Sequence, residues 1–206
     1  MSRDLEEFYH DVFDVYEEYS SNLIFVLGKQ DWSNVKKLAK GLYSAWVEGK
    51  NVFLCGNGGS AGNALHLAND FVYAVGYDLL PGIRAEALSA NSSLITCLAN
   101  DVGYDKVYST QLETKALAGD LLIALSGSGN SPNIVNALEM GNKLSMDTYA
   151  ILGYSGGACL SIAKTPIHVA IDDMQISEDM QLIIGHICMK WLNKRTDCMK
   201  WLSKEK

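Results

Sequence analysis

The chain has 206 residues, of which 48% are hydrophobic and 20% charged, and its formal net charge is −7. This composition predicts one soluble globular domain, and the negative charge argues against a nucleic-acid-binding protein, which needs a basic face. The five cysteines lack disulfide-like or C-x-x-C spacing, which predicts reduced thiols and a cytoplasmic location. The N-terminus lacks a signal peptide's apolar core, and no apolar run approaches the roughly 20 residues of a membrane span.

The order of predicted elements indicates an α/β fold. Apolar residues recur at three- and four-residue spacing from Leu5 to Ile24, which predicts a long amphipathic helix, and a second helix is expected over 33–47. After these, strands are predicted at 51–55, 83–88, 120–125, 148–152 and 166–171. They alternate with helices at 60–75, 92–99 and 102–118, one that Pro132 opens, and a last one that ends near Leu192. Such alternation predicts a parallel sheet with helices on both faces.

We expect three regions along the chain. Residues 1–48 form N-terminal helices that pack on the core or on a partner subunit, 49–195 form the α/β core, and 196–206 form a basic tail. The heptapeptide CMKWLNK at 188–194 recurs as CMKWLSK at 198–204. We interpret this repeat as a local duplication.

Two loops rich in glycine and serine each follow a predicted strand and precede a predicted helix. Their sequences are GNGGS at 56–60 and SGSGNS at 126–131. Helix N-termini offer unpaired N–H groups and partial positive charge, so they favour phosphates. Serines in place of further glycines add hydroxyl donors, which favours a small sugar phosphate. A nucleotide site is disfavoured because neither a G-K-[ST] motif nor a complete G-x-G-x-x-G in register is present.

Two predicted helices each carry a histidine and a carboxylate near one face. His66 and Asp70 are four residues apart on the helix after the first loop, and Glu178 and His186 are eight apart on the last helix. A single histidine in an apolar helix is more often a core residue. The pairing on both helices favours a functional site.

Four stretches together resemble the sugar isomerase (SIS) superfamily and, within it, the phosphoheptose isomerases. They are residues 55–70, 87–113, 119–138 and 178–186. The resemblance implies a single SIS domain and an aldose–ketose isomerase that converts sedoheptulose 7-phosphate to D-glycero-D-manno-heptose 7-phosphate through an enediol. It also implies a homotetramer with active sites at subunit boundaries, and no nucleic-acid or membrane partner.

The family's site positions carry over to residues of this chain. The acid/base pair matches Asp70 and His186, and some members bind zinc at positions matching His66, Asp70, Glu178 and His186. Two imidazoles and two carboxylates are a plausible zinc ligand set. The family's substrate-binding positions match Asn57, Gly58, Gly59, Ser60, Asp101, Ser126, Gly127, Ser128, Ser131 and Glu178. Ser60, Ser131 and Asp101 can instead serve as helix caps.

The chain departs from the family at five of its positions. Asp70 replaces a usual Glu and Glu178 a usual Gln, and two facing carboxylates favour a metal between them. Three further departures are Ala74 for Arg, Gly127 for Thr and Gln175 for Asp. Ala74 and Gln175 favour a first alternative, an isomerase of another sugar phosphate. A second alternative is a non-catalytic SIS module that binds a replication initiator, but such relatives lose the histidine that His186 retains.

Overall fold

The structure, a computed structural model, describes residues 3–76 and 80–196, with the side chains of 3–11 left out. The predicted tail beyond residue 196 and the second CMKWL copy lie outside the described residues. The described residues fall into two compact units, one ending at Gln30 and the other beginning at Asp31. None of the described helices is both long and apolar enough to cross a membrane.

The first unit is one long helix, α1 (Arg3–Lys29), as the apolar periodicity predicts. Several of its large apolar side chains are exposed, namely Val12, Phe13, Val15, Tyr16, Ile24 and Phe25. The packing of this helix on the core or on a partner stays a prediction.

The second unit contains a five-stranded parallel sheet, which confirms the predicted fold class. Its strands are β1 (Asn51–Cys55), β2 (Arg84–Ala87), β3 (Leu121–Ser126), β4 (Asp147–Leu152) and β5 (Thr165–His168), in the order β2-β1-β3-β4-β5. Every residue of the central strand β3 is buried, as expected for a strand covered by helices on both sides. The strand order reverses between β1 and β3, and ligands of such sheets bind at that point, beyond the carboxyl ends of the strands.

Seven α-helices accompany the sheet in the part of the chain that the structure describes. They are α2 (Ser33–Glu48), α3 (Gly59–Asn69), α4 (Ser92–Asp101), α5 (Ser109–Lys115), α6 (Pro132–Lys143), α7 (Cys159–Ile162) and α8 (Met174–Asn193). Helices α5, α6 and α7 pack on one face of the sheet, and α2, α3 and α8 pack on the other. Helices α3 and α8 also contact each other.

The helices differ from the sequence prediction in three places. The predicted helix 60–75 changes at Asp70 into a π turn, Asp70–Ala74. The predicted helix 102–118 is a 3₁₀ turn, Tyr104–Lys106, followed by the short α5, because Gly103 with φ of 104° interrupts the chain after α4. Helix α7 follows the predicted Gly156–Gly157 turn and was not expected.

Close packing holds α3 and α8 together along their length. A Cβ atom on Gly185 of α8 would overlap the side chain of Leu67 on α3. Asn193, the last residue of α8, donates from Nδ2 to the carbonyl of Ala74 and accepts the N–H of Gly76, both at 3.0 Å. The two helices therefore have a defined separation and register.

Candidate active site

A cavity of about 270 Å³ lies between the two glycine- and serine-rich loops, at the carboxyl ends of β1 and β3. Its lining consists of Asn57, Gly58, Gly59, Ser60, Leu125, Ser126, Gly127, Ser128, Ser131, Met174 and Glu178. The structure thus brings together every predicted substrate-binding residue except Asp101. Leu125 and Met174 were not expected.

The second loop presents hydroxyl groups whose protons are uncommitted. Ser126 Oγ accepts the N–H of Gly129 at 3.0 Å, and Ser128 Oγ accepts the N–H of Asn130 at 3.3 Å. Neither hydroxyl donates to an acceptor within residues 3–76 and 80–196. A hydroxyl that already accepts a hydrogen bond can still donate its own proton. Both serines are therefore set up as donors to an anion.

Ser131 immediately precedes α6 but makes no side-chain capping bond, so capping leaves its hydroxyl available to a ligand. Ser60 is not an N-cap either, since Gly58 occupies that position of α3.

Asp101 is the one predicted substrate-binding residue that does not line the cavity. It is exposed at the end of α4, and its side chain accepts a hydrogen bond from Asn100 Nδ2 at 2.8 Å. The predicted alternative that Asp101 caps a following helix is wrong, because it is the last residue of α4.

Sequence reasoning missed the contacts that hold the first loop in place. The side-chain amides of Asn57 and Asn133 exchange two hydrogen bonds of 2.8 Å, and Tyr104 Oη donates to Asn57 Oδ1 at 3.0 Å. Tyr108 Oη donates to the carbonyl of Gly56, and burial raises the pKa of this phenol, so it stays a neutral donor. Asn133 belongs to the first turn of α6, so these bonds connect the first loop to the helix that follows the second.

Gly127, at the position where the resemblance implies a threonine, lies against the side chain of Met174. A Cβ atom on Gly127 would lie 2.5 Å from Met174 Sδ and 3.0 Å from Met174 Cε. The thioether therefore occupies space that a larger side chain would need. Met174 also lines the cavity, so this side of the cavity is apolar.

Three of the four predicted metal ligands form one cluster. His66 Nε2 lies 3.0 Å from His186 Nε2 and 3.6 Å from Asp70 Oδ2, and His186 Nε2 lies 3.4 Å from the same oxygen. Tetrahedral ligands at the usual 2.0–2.1 Å from zinc are separated by about 3.3 Å. The three donor atoms therefore fit the corners of one zinc coordination sphere.

The π turn contributes to this cluster. Asp70 is its first residue, and its carbonyl accepts the N–H of Val75 at 3.1 Å. Such turns are rare and are found frequently at functional sites. The sequence contains no signal that we recognise for the turn.

Glu178 does not join the cluster of His66, Asp70 and His186. Its carboxylate packs against Gly59, where a Cβ atom would overlap it, and it lines the cavity between the loops. The separation has a simple cause, since eight residues of α-helix between Glu178 and His186 correspond to about 12 Å of rise. Its predicted role as a metal ligand stays a prediction.

Comparisons with known proteins identify the class to which this fold and site belong. A family model described as "SIS domain" matches residues 15–153, and the chain belongs to the SIS domain family. The curated phosphoheptose isomerase of Sulfurimonas denitrificans is 39% identical over 160 residues, which cover 78% of this chain and 80% of the relative. That of Akkermansia muciniphila is 37% identical over 155 residues, with coverages of 75% and 81%. The resemblance found in the sequence is confirmed.

Solved structures agree on the fold. The phosphoheptose isomerase of Neisseria gonorrhoeae matches with a TM-score of 0.82 at 23% identity, covering 91% of this chain and 99% of that one. That of Francisella tularensis matches with a TM-score of 0.83 at 24% identity, covering 90% and 98%.

Proposed function

We propose that this chain is an aldose–ketose isomerase that converts sedoheptulose 7-phosphate to D-glycero-D-manno-heptose 7-phosphate. The observation that carries the proposal is the pairing of an anion cavity with a histidine–aspartate cluster on the same two helices. Ser60 and Glu178 line the cavity, and His66 and His186 follow them along α3 and α8. The curated relatives that bear the name phosphoheptose isomerase support this choice of substrate.

The spacing of the two groups supports a long substrate. Six residues from Ser60 to His66 and eight from Glu178 to His186 correspond to about 9 and 12 Å of helix rise. An extended chain advances roughly 1.2 Å per bond, so C1 and phosphorus of a heptulose 7-phosphate lie about 10 Å apart, against about 7 Å in a pentulose 5-phosphate. A seven-carbon sugar therefore reaches from the serines to the histidines.

The chemistry that we propose is proton transfer through an enediol. A base removes a proton from C1 of the ketose while an acid protonates the C2 carbonyl oxygen, which gives the enediol. The protonated base then delivers its proton to C2, and the C1 hydroxyl gives its proton to the conjugate base of the acid as it becomes the carbonyl. We assign these transfers to Asp70 and His186, whose side chains lie 3.4 Å apart. The serine hydroxyls hold the phosphate during both steps.

We further propose that His66, Asp70 and His186 hold one divalent metal ion, zinc by preference. When bound, the ion would either fix the two helices or supply Lewis-acid polarisation of the sugar's oxygens, and in the second case Asp70 or Glu178 would move the proton. His186→Ala should abolish turnover and lower metal content together, whereas His66→Ala should lower metal content first. Glu178→Gln tests whether Glu178, the fourth predicted metal ligand, contributes to the affinity for the metal. Full activity in demonstrably metal-free protein would leave the plain acid/base reaction of Asp70 and His186.

We propose a homotetramer in which another copy covers the histidines. The side chains of His66 and His186 are 49% and 39% exposed, whereas an enediol needs protection from water. Leu65, Val72 and Ile187, which flank the cluster, are exposed large apolar residues, as are many of those on α1. A monomeric mass by light scattering at micromolar concentration would refute this assembly.

The free, buried thiols of the second unit support the predicted cytoplasmic location.

The activity is tested by incubating the purified protein with ketose 7-, 6- and 5-phosphates and detecting the aldose. We expect turnover of the 7-phosphate and poor turnover of the shorter sugars. Met174 beside Gly127 favours a second candidate, isomerisation of a different ketose phosphate, which the same panel identifies. A non-catalytic SIS module would convert none of them.

A further inference from the structure

A chain of side-chain amides, Gln181 buried and Asn63 half-buried, runs from α8 through α3 to the cavity. Gln181 of α8 is 1% exposed, and its Nε2 donates to Ser60 Oγ at 3.0 Å. Its Oε1 accepts from Asn63 Nδ2 of α3 at 3.0 Å. Asn63 Nδ2 also donates to the main-chain carbonyl of Glu178 at 2.9 Å. The chain ends at Ser60, which lines the cavity.

The direction of every bond in this chain follows from its first member. A main-chain carbonyl can only accept, so the group of Asn63 that faces Glu178 must be the NH₂. The second hydrogen of that NH₂ points to Gln181, whose facing atom must therefore be the carbonyl oxygen. The NH₂ of Gln181 is then directed at Ser60, and Ser60 Oγ is the acceptor. The proton of Ser60 has no acceptor within the described ranges 3–76 and 80–196.

We propose that Asn63 and Gln181 are positioning residues that keep the Ser60 hydroxyl as a donor to an anionic oxygen of the bound sugar phosphate. Without them, the Ser60 proton could turn to another acceptor. The inference rests on the proposed function, because it requires an anion in the cavity. It adds two residues that do not line the cavity. Gln181 contacts Ser60 directly, and Asn63 orients Gln181 while it also binds the main-chain carbonyl of Glu178.

Packing alone does not account for these two amides. Gly185 against Leu67 already joins α8 to α3, and Asn193 joins α8 to Ala74 in the π turn that follows α3. A buried amide must have all of its polar atoms satisfied, whereas an apolar side chain of similar size needs no partner. In this chain of bonds both hydrogens of the Asn63 amide and the side-chain oxygen of Gln181 are used, whereas the Ser60 proton at the cavity end has no acceptor among the described residues.

The test is Asn63→Asp, which replaces a donor by a group that only accepts. Aspartate at position 63 would take the NH₂ of Gln181, whose oxygen would then face Ser60 and accept its proton. We expect the KM for sedoheptulose 7-phosphate to rise about tenfold or more, the loss of one charge-assisted hydrogen bond, with kcat little changed. Asn142→Asp is the matched control, because Asn142 on α6 also donates from Nδ2 to a main-chain carbonyl, that of Ile162, and does not line the cavity, and its KM should equal the parent's.

A double-mutant cycle separates hydroxyl orientation from the repulsion that a new charge causes. In a Ser60→Ala background, Asn63→Asp should raise KM no further, because no hydroxyl proton remains to be turned. A full additional rise in that background would overturn the proposal, as would an unchanged KM in the single variant. If Asn63→Asp does not fold, Gln181→Met replaces it in the cycle, because methionine removes the donor to Ser60 without adding a charge. It should raise KM when Ser60 is present and not in the Ser60→Ala background.

The parent protein distinguishes this inference from the proposed function. A parent that converts the sugar, with variants of unchanged KM, overturns the positioning role alone. A parent that neither binds the sugar phosphates by calorimetry nor converts them overturns the proposed function and the positioning role with it.

Discussion

Gly185 offers a direct test of how α3 and α8 build the candidate site. It lies next to His186, and a Cβ atom there would overlap the side chain of Leu67. Gly185→Ala should therefore push the two helices apart at the level where His66 Nε2 and His186 Nε2 are 3.0 Å apart. We expect lower stability and weaker zinc binding from this single methyl group.

The size of the stability loss follows from two opposing terms. Forcing a methyl group into a filled contact destabilises by roughly 1–3 kcal/mol, and replacing glycine inside a helix returns up to about 1 kcal/mol. With the full return, the net loss is about 0–2 kcal/mol, which corresponds to a fall of up to roughly 4–8 °C in Tm for a chain of this size, and the difference from a glycine-to-alanine change at an open helix position is about 1–3 kcal/mol.

Gly62→Ala is the matched control for this measurement. Gly62 lies on α3, is exposed, and has no atom within 4 Å of the position that a Cβ would take. This substitution should therefore gain about 1 kcal/mol from helix propensity and leave zinc content unchanged. Thermal unfolding at equal protein concentration, with metal analysis of the same samples, compares the two variants. The reasoning fails if Gly185→Ala is as stable and as zinc-replete as Gly62→Ala.

Three further outcomes are expected. Ser126→Ala and Ser128→Ala should each raise KM about ten- to a hundredfold by removing a charge-assisted hydrogen bond, and equal binding of the sugar phosphate by both would contradict the loop assignment. In a Cys198→Ser background, a thiol reagent at pH 8 should modify Cys97 before Cys159, because Cys97 is exposed whereas Cys159 is buried; the hydrogen bond to Asp101 raises the pKa of the Cys97 thiol, and burial raises that of Cys159 to about 11. Ser89→Ala should stabilise the free protein by about 1 kcal/mol in denaturant unfolding, since Ser89 Oγ is buried and has no hydrogen-bond partner within the described residues.

The elements that could be predicted from the sequence are those with strong local signals. Strand β1 has the predicted bounds, and Pro132 and Gly49 mark a helix start and a helix end where we expect them. The α/β alternation determines the layers, and the loops after β1 and β3 meet because the order β2-β1-β3 makes these two strands neighbours. Local patterns are sufficient for these features.

The features that could not be predicted depend on contacts between distant residues. Asn133 and Tyr104 are far from Asn57 in the sequence and contact it only through the tertiary fold. Nothing in their local sequence indicates that they contact the first loop. The π turn at Asp70 changes the helical period within an otherwise continuous apolar pattern. Glu178 and His186 lie near one face of the same helix, and their spacing in the sequence indicates this shared face. The helix rise between them nevertheless places the two side chains in different parts of the site.

The two helices that carry the site run parallel and are joined at three levels. The connections are Gln181 to Ser60, the His66 and His186 contact, and Asn193 to Ala74. An opening that separates the histidines must therefore also strain the hydrogen bonds at both ends, because each helix moves as one cooperative segment. A ligand that holds either end closed lowers the free energy of ordering the other. The proposed metal and the phosphate of the proposed substrate should consequently bind with positive thermodynamic coupling.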